Sequence, residues 1–98
     1  MAEKSKLKNN EVKLKSGKVV KLKTLTIDVR DECLDNVQFI FDDDGNVKGV
    51  TAMQKTITQW MRAMIDGDVS DDALLKFSMQ DRSEFFSYVQ NQLFLGEN

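Results

Sequence analysis

Residues 51–67 constrain the fold most strongly, because their apolar residues have the spacing of one helical face. These recur at the i, i+4, i+7, i+8 and i+11 positions that share one side of an α-helix. They are Met53, Ile57, Trp60, Met61, Met64 and Ile65. Thr51 with Gln54 predicts a capping box at the start, and Gly67 predicts the end. Because Trp60 is the only tryptophan, we expect other elements to pack around it.

The composition indicates one globular domain and removes several kinds of chemistry. The chain has 98 residues, of which 41% are hydrophobic and 31% charged, which is within the range of globular domains. Cys33 is the only cysteine and histidine is absent. An intrachain disulfide, a zinc site of Cys and His ligands, and a nucleophile activated by histidine are therefore excluded. We expect a protein that is not an enzyme and has no cofactor or metal site.

Charge divides the chain into a basic beginning and an acidic remainder. Residues 1–23 contain eight lysines and two glutamates, so the rest carries a net charge of −8 within a total of −2. Residues 1–10 lack periodicity and are predicted to form a flexible basic tail, followed by a single α+β domain over residues 11–98. Because no apolar run approaches 18 residues and no signal-peptide pattern is present, we expect a location in the cytoplasm, without membrane insertion.

From Glu11 the apolar residues alternate with lysines, which is typical of a β-hairpin. Pairing Leu14 with Val20 and Val12 with Leu22 keeps one face apolar, and residues 16–18 are then the loop. A helix is predicted over residues 24–36, capped by Thr26 or Asp28. A second hairpin is predicted from strands at residues 37–41 and 47–50 around an Asp-Gly turn.

Two further helices are predicted after Gly67. One covers residues 71–77 behind an N-cap at Ser70, and the other begins at Ser78, with Asp81 completing its cap. Arg82 falls in the apolar stripe of the last helix, so we expect its head to reach water or a carboxylate. The fold class is thus α+β, with a small antiparallel sheet from two β-hairpins packed against three to four helices.

Four groups of residues are candidates for function. The aspartates at positions 42–44 do not fit an EF-hand, because Ile40 and Thr51 would occupy its first and twelfth positions; a solvated turn is favoured, and a looser divalent-cation site is the alternative. The hairpin lysines would share an outer face that either contacts phosphates or keeps the sheet soluble. Cys33 is interpreted as a small buried hydrophobe.

The fourth group consists of methionines and aromatic residues, whose side chains could fill the core or form an adaptable surface for apolar partner segments. Its members are Met53, Met61, Met64, Met79, Trp60, Phe77, Phe85, Phe86 and Phe94. We expect most of these side chains in the core, but Phe94 and Leu95 near the chain end to be only partly covered. The hypothetical partner-binding residues are Trp60, Met61, Met64, Phe94 and Leu95.

Four segments carry a likeness to a known group of proteins. A basic hairpin reads Val-Lys-Leu-Lys-Ser-Gly-Lys at residues 12–18, and a helix follows as Leu-Thr-Ile-Asp-Val-Arg-Asp-Glu at residues 25–32. The tryptophan helix reads Ile-Thr-Gln-Trp-Met-Arg at residues 57–62, and Gly-Asp-Val-Ser-Asp follows at residues 67–71. In this layout, over residues 11–94, the chain resembles the tail assembly chaperones of tailed bacteriophages.

The resemblance implies a non-enzymatic role in the host cytoplasm, holding the tape-measure protein soluble and helping to recruit tail-tube subunits. Such a protein could also form a homo-oligomer. A virion structural protein, such as a neck, connector or decoration subunit, is the alternative. A nucleic-acid-binding protein using the N-terminal lysines is a weaker alternative, because no aromatic residues are interleaved with those lysines.

Overall fold

The computed structural model describes residues 10–94, and it confirms the α+β class. Residues 1–9 of the predicted tail lie outside this range, as does Leu95. The elements are β1 (Glu11–Lys13), β2 (Val19–Lys21), α1 (Ile27–Leu34), β3 (Gln38–Phe41), β4 (Val47–Thr51), α2 (Gln54–Met64), α3 (Asp71–Leu75) and α4 (Met79–Val89). A π-helical turn, Gln90–Phe94, continues α4.

The hairpins form two separate two-stranded antiparallel sheets, β1–β2 and β3–β4, where the sequence had suggested one. The reason is that other backbone occupies the outer side of β2. Leu22 forms an antiparallel bridge with Ile65, and the amide of Asp66 donates to the carbonyl of Lys21 at 2.7 Å. The chain leaving α2 therefore lies where a neighbouring strand would have paired.

The register of the first hairpin differs from the predicted one by two residues. Val12 lies opposite Val20, whereas Leu14 had been expected there. Leu14 donates its amide to the carbonyl of Lys18 at 2.8 Å, and Gly17, with φ of 96°, forms the turn. Because side chains alternate with a period of two, this shift preserves the faces. Val12, Leu14, Val20 and Leu22 are all buried, as the pattern predicted.

The second hairpin forms at the predicted place, with a bulge after Ile40. Its turn is closed by Asp42, whose Oδ1 accepts from the amides of Asp44 and Asn46, both at 2.9 Å. Gly45 has φ of 87°, a conformation that glycine adopts without strain. The aspartates thus form an exposed turn of the kind favoured from the sequence.

Helix α2 begins at Gln54, later than predicted, because Thr51 belongs to β4 and cannot form the expected capping box. Its apolar face nevertheless forms the centre of the core. The indole Nε1 of Trp60 donates to the carbonyl of Cys33 at 3.1 Å. The ring of Trp60 lies 4.4 Å from that of Phe86 and 4.5 Å from that of Phe94, between centroids. Trp60 therefore joins α1, α2, α4 and the π-helical turn.

Helix α4 begins with the predicted capping box between Ser78 and Asp81. Arg82, one residue on, was expected to reach water or a carboxylate; it is partly exposed, and the hydrogen bonds of its guanidinium go to neutral acceptors. Its guanidinium donates to the side-chain and backbone oxygens of Gln54, both at 2.9 Å, and to the hydroxyl of Thr58 at 2.7 Å. The half-buried cation thus connects α4 to the first turn of α2 through neutral acceptors.

Replacing Trp60 with phenylalanine should lower the free energy of unfolding by about 2 kcal/mol, since it leaves a cavity and removes the hydrogen bond to Cys33. Urea denaturation followed by far-UV circular dichroism measures this loss. The control is Met79→Ala, because Met79 is 69% exposed and its truncation should change stability by less than about 0.5 kcal/mol. Equal effects of the two substitutions would contradict the central position of Trp60.

Stability should fall on acidification partly through Asp81. The hydrogen bond from the backbone amide of Ser78 is the main cause that lowers the pKa of Asp81. A carboxyl whose pKa is lower in the folded than in the unfolded chain stabilises the fold above the unfolded value of about 4, and this contribution disappears as pH falls through the folded value. Urea midpoints at pH 7 and at pH 3 should therefore differ less in Asp81→Asn than in wild type. Identical differences would show that Asp81 has no part in the acid response.

Candidate partner-binding surface

Four of the residues expected to bind a partner lie in the core. Trp60, Met61, Met64 and Phe94 are buried, with Phe94 only 4% exposed. The expectation that Phe94 is partly covered is therefore wrong, because its ring packs against Trp60. In the folded chain these side chains offer no surface to a partner, and Leu95 lies outside the described residues.

The exposed apolar side chains concentrate on the second hairpin. Phe39, Ile40, Phe41 and Val47 are between 40% and 56% exposed, and we call this set the hairpin surface. Phe39 lies opposite the buried Val50 at the base of the hairpin. The hairpin therefore begins on the core and becomes more exposed toward its turn.

The hairpin surface has exposed apolar side chains on both faces of the β3–β4 sheet. Phe39 and Phe41 share one face, where their ring centroids are 6.4 Å apart, and Val47 lies opposite Phe41. Ile40 points to the other face, opposite Gly49. A strand that is apolar on both faces needs cover on both, and the two-stranded sheet leaves β3 exposed along its whole length.

The two outer edges of the β3–β4 sheet differ in the hydrogen bonding of their backbone groups. The amide of Val50 in β4 donates to Oε1 of Gln90 at 2.8 Å, so it points away from β3. In an antiparallel pair, opposite residues both direct their backbone groups either into the ladder or out of it. The N–H and C=O of Phe39, opposite Val50, therefore point toward the outer edge of β3. Within residues 10–94 no strand pairs with that edge.

Acidic residues outnumber basic ones in the chain segments before and after β3. Residues 27–46, which comprise α1, β3 and the turn after it, contain seven carboxylates and one arginine, so their net charge is −6. The arginine, Arg30, pairs with Asp31 at 3.1 Å. Within the hairpin itself, residues 38–51, Asp42, Asp43 and Asp44 outnumber the one cation, Lys48, and the net charge is −2. This charge favours basic partners over acidic ones.

The lysines of the first hairpin contact the body of the protein in several places. Lys21 Nζ lies 3.9 Å from a carboxylate oxygen of Asp66, and the backbone amide of Lys15 donates to Glu84 at 3.0 Å. The ammonium of Lys18 lies 5.0 Å from the centre of the Phe77 ring. Of these contacts, only the one between Lys21 and Asp66 pairs opposite charges.

A groove of about 730 Å³ lies between α1 and α2, and Glu32, Cys33 and Lys55 are among its lining residues. Burial, followed by the charge of Glu32, raises the pKa of the Cys33 thiol to about 11. The thiol is therefore protonated at neutral pH and is a poor nucleophile. Among residues 10–94 there is no cluster of three or more metal-ligating side chains. Over the same range, no helix has the length and apolar character needed to cross a bilayer.

The sequence analysis did not identify the hairpin surface. Methionine and aromatic content, on which it relied, is equally typical of a core and of a binding surface. A signal was present in residues 38–41, where Phe, Ile and Phe are consecutive. Such a run is apolar on both faces, and a hairpin that belongs to no larger sheet cannot bury both.

The native Cys33 thiol should react with Ellman's reagent at pH 8 about a hundredfold more slowly than the thiol of the urea-unfolded chain. The rise of its pKa to about 11 reduces the thiolate fraction by that order, and burial reduces access further. The absorbance of the released thiol measures both rates. Comparable rates would show that Cys33 is accessible in the folded protein.

Comparisons with known proteins give no family for this chain. Protein-family models, curated proteins and solved structures all show no match. The function therefore has to be argued from the hairpin surface and its surroundings.

Proposed function

We propose that this protein is a non-enzymatic assembly chaperone of a tailed bacteriophage that binds an apolar segment of the tape-measure protein or of a tail-tube subunit. The observation that carries the proposal is the hairpin surface, a set of apolar side chains at 40–56% exposure of which three are consecutive along one strand. Contiguous exposed apolar patches on soluble proteins mark interaction sites.

The position of the surface suits a binding role. The base of the hairpin is held by Val50 in the core and by the hydrogen bond from its amide to Gln90. The exposed part is thus presented from a fixed element, which limits the entropy lost when a partner binds. Aromatic residues such as Phe39 and Phe41 provide much of the contact energy in protein interfaces.

The proposed activity follows from the partner's chemistry. A long protein with exposed apolar segments aggregates unless those segments are covered. Reversible cover requires an apolar contact of modest size, and the hairpin surface offers one. The net charge of −6 over residues 27–46 adds repulsion between copies of the chaperone, which keeps the complex soluble.

The test is co-purification of the tagged protein from its native host. The Phe41→Asp variant should recover at least about tenfold less tape-measure or tail-tube protein than wild type, because a desolvated anchor of this size contributes more than about 1.4 kcal/mol. The matched control is Met79→Asp, which places the same charge at another exposed apolar position. It should recover the partner as wild type does.

Both variants must retain the wild-type circular dichroism spectrum. Recovery by Phe41→Asp equal to that by Met79→Asp would overturn the hairpin surface as the binding site. Proteomics of purified particles separates the two kinds of phage protein, since a structural subunit remains in the particle and a chaperone does not. Detection of this protein in purified particles in stoichiometric amount would favour the structural alternative.

A further inference from the structure

We infer that the open edge of β3 binds an extended, apolar and basic segment of the partner as a third strand of the β3–β4 sheet. This inference rests on the proposed protein-binding role and specifies how the partner is held. It draws on three observations: the outward backbone groups of Phe39, the apolar side chains on both faces of β3, and the three aspartates in the exposed turn that follows it.

The backbone provides the first argument. The N–H and C=O of Phe39 point away from β4, and no described element satisfies them through strand pairing. An extended peptide that pairs with such an edge gains backbone hydrogen bonds that are independent of its sequence. β4 cannot offer the same site, because Oε1 of Gln90 already accepts the amide of Val50 at 2.8 Å.

The side chains select the apolar character of the segment. A third strand would place its residues beside Phe39 and Phe41 on one face and beside Ile40 on the other. Each of these side chains is at least 40% exposed in the isolated chain. Neighbouring strands bring such side chains within contact distance, so apolar residues on both faces of the added strand would cover all three.

The length of β3 limits the segment. Four residues, Gln38–Phe41, form the strand, which spans about 13 Å at the usual rise per residue. Beyond its end the chain enters the turn that begins at Asp42, and a bulge interrupts the ladder just before it. A segment of about four to six residues therefore matches the edge.

Charge selects against a second copy of this chain. The β3–β4 hairpins of two copies, residues 38–51, would each bring a net charge of −2 to the shared edge, and like charges across an interface disfavour association. A partner segment flanked by lysine or arginine would instead meet Asp43 and Asp44 of the exposed turn. The edge is thus protected from self-pairing by the charges that attract the basic segment.

The probe is the acetylated and amidated peptide Lys-Lys-Val-Val-Val-Val-Lys-Lys, which places valine on both faces of an added strand. Its control is the same peptide with glutamate in place of each lysine. Amide hydrogen exchange of the full chain, read by NMR, should slow at Phe39 by about tenfold when the lysine peptide is present at ten times its dissociation constant. The glutamate peptide should leave this amide unchanged, and added sodium chloride should weaken binding of the lysine peptide.

Two variants separate backbone pairing from contact with the ring. Phe39→Pro and Phe39→Thr both remove the ring, but only proline removes the outward N–H. The N–H of Phe39 does not belong to the β3–β4 ladder, so proline at this edge position is compatible with the hairpin. Anisotropy of the fluorescently labelled lysine peptide should show at least about tenfold weaker binding to the proline than to the threonine variant, given the hydrogen bond that is lost.

Three results would overturn the inference: no protection of Phe39 by the lysine peptide, equal protection by both peptides, or equal binding by the proline and threonine variants. Protection of Phe39 that rises with protein concentration alone would also overturn it, in favour of a second copy. If Phe41→Asp loses the partner while Phe39→Pro retains it, the proposed function stands and strand addition is wrong. If Phe41→Asp retains the partner, the proposed function itself fails.

Discussion

The contact of Trp60 with its neighbours is the interaction on which the rest of the structure depends. Its indole donates to the carbonyl of Cys33, and its ring lies against Phe86 and Phe94. The hydrogen bond satisfies the indole N–H, so that the largest side chain of the protein is buried without an unpaired donor. A chain of this size has one core, and its position on the face of α2 decides which elements are covered.

The positions of the sheet edges follow from that core. The chain leaving α2 runs beside β2, with the bridge between Leu22 and Ile65, and the π-helical turn after α4 brings Gln90 to β4. Both elements reach these edges because their own apolar residues, Ile65 and Phe94, are buried in the core. No described segment remains on the far side of β3. The open edge is thus a consequence of where the apolar face of α2 meets its partners.

Much of the fold could be predicted because periodicity and caps are local signals. The alternation around Val12 and Val20 predicted the buried face of the first hairpin, and Ser78 with Asp81 marked the start of α4 correctly. The register of the hairpin was beyond reach, since a shift of two residues buries the same side chains. Thr51 shows the limit of a cap motif: pairing with Gln38 draws it into β4 before the helix can begin.

The candidate site was harder to predict, for a physical reason. An amphipathic helix such as α2 must bury its apolar face, but its sequence does not state whether the cover comes from the same chain or from a partner. Trp60, Met61 and Met64 obtain cover within the chain. The apolar residues of β3 also need cover, but they obtain little of it within residues 10–94.

The acidic residues near β3 reconcile an exposed apolar edge with solubility. An uncovered edge that carries Phe39, Ile40 and Phe41 would pair with copies of itself. Natural sheets prevent this by placing charges beside such strands, and here seven carboxylates lie within residues 27–46. Charges of one sign do more than prevent self-association, because they distinguish between partners by the sign of the partner's charge. Lysines along the edge would instead have repelled basic chains and admitted acidic partners. For the strand addition inferred above, the carboxylates favour a basic segment over an acidic one.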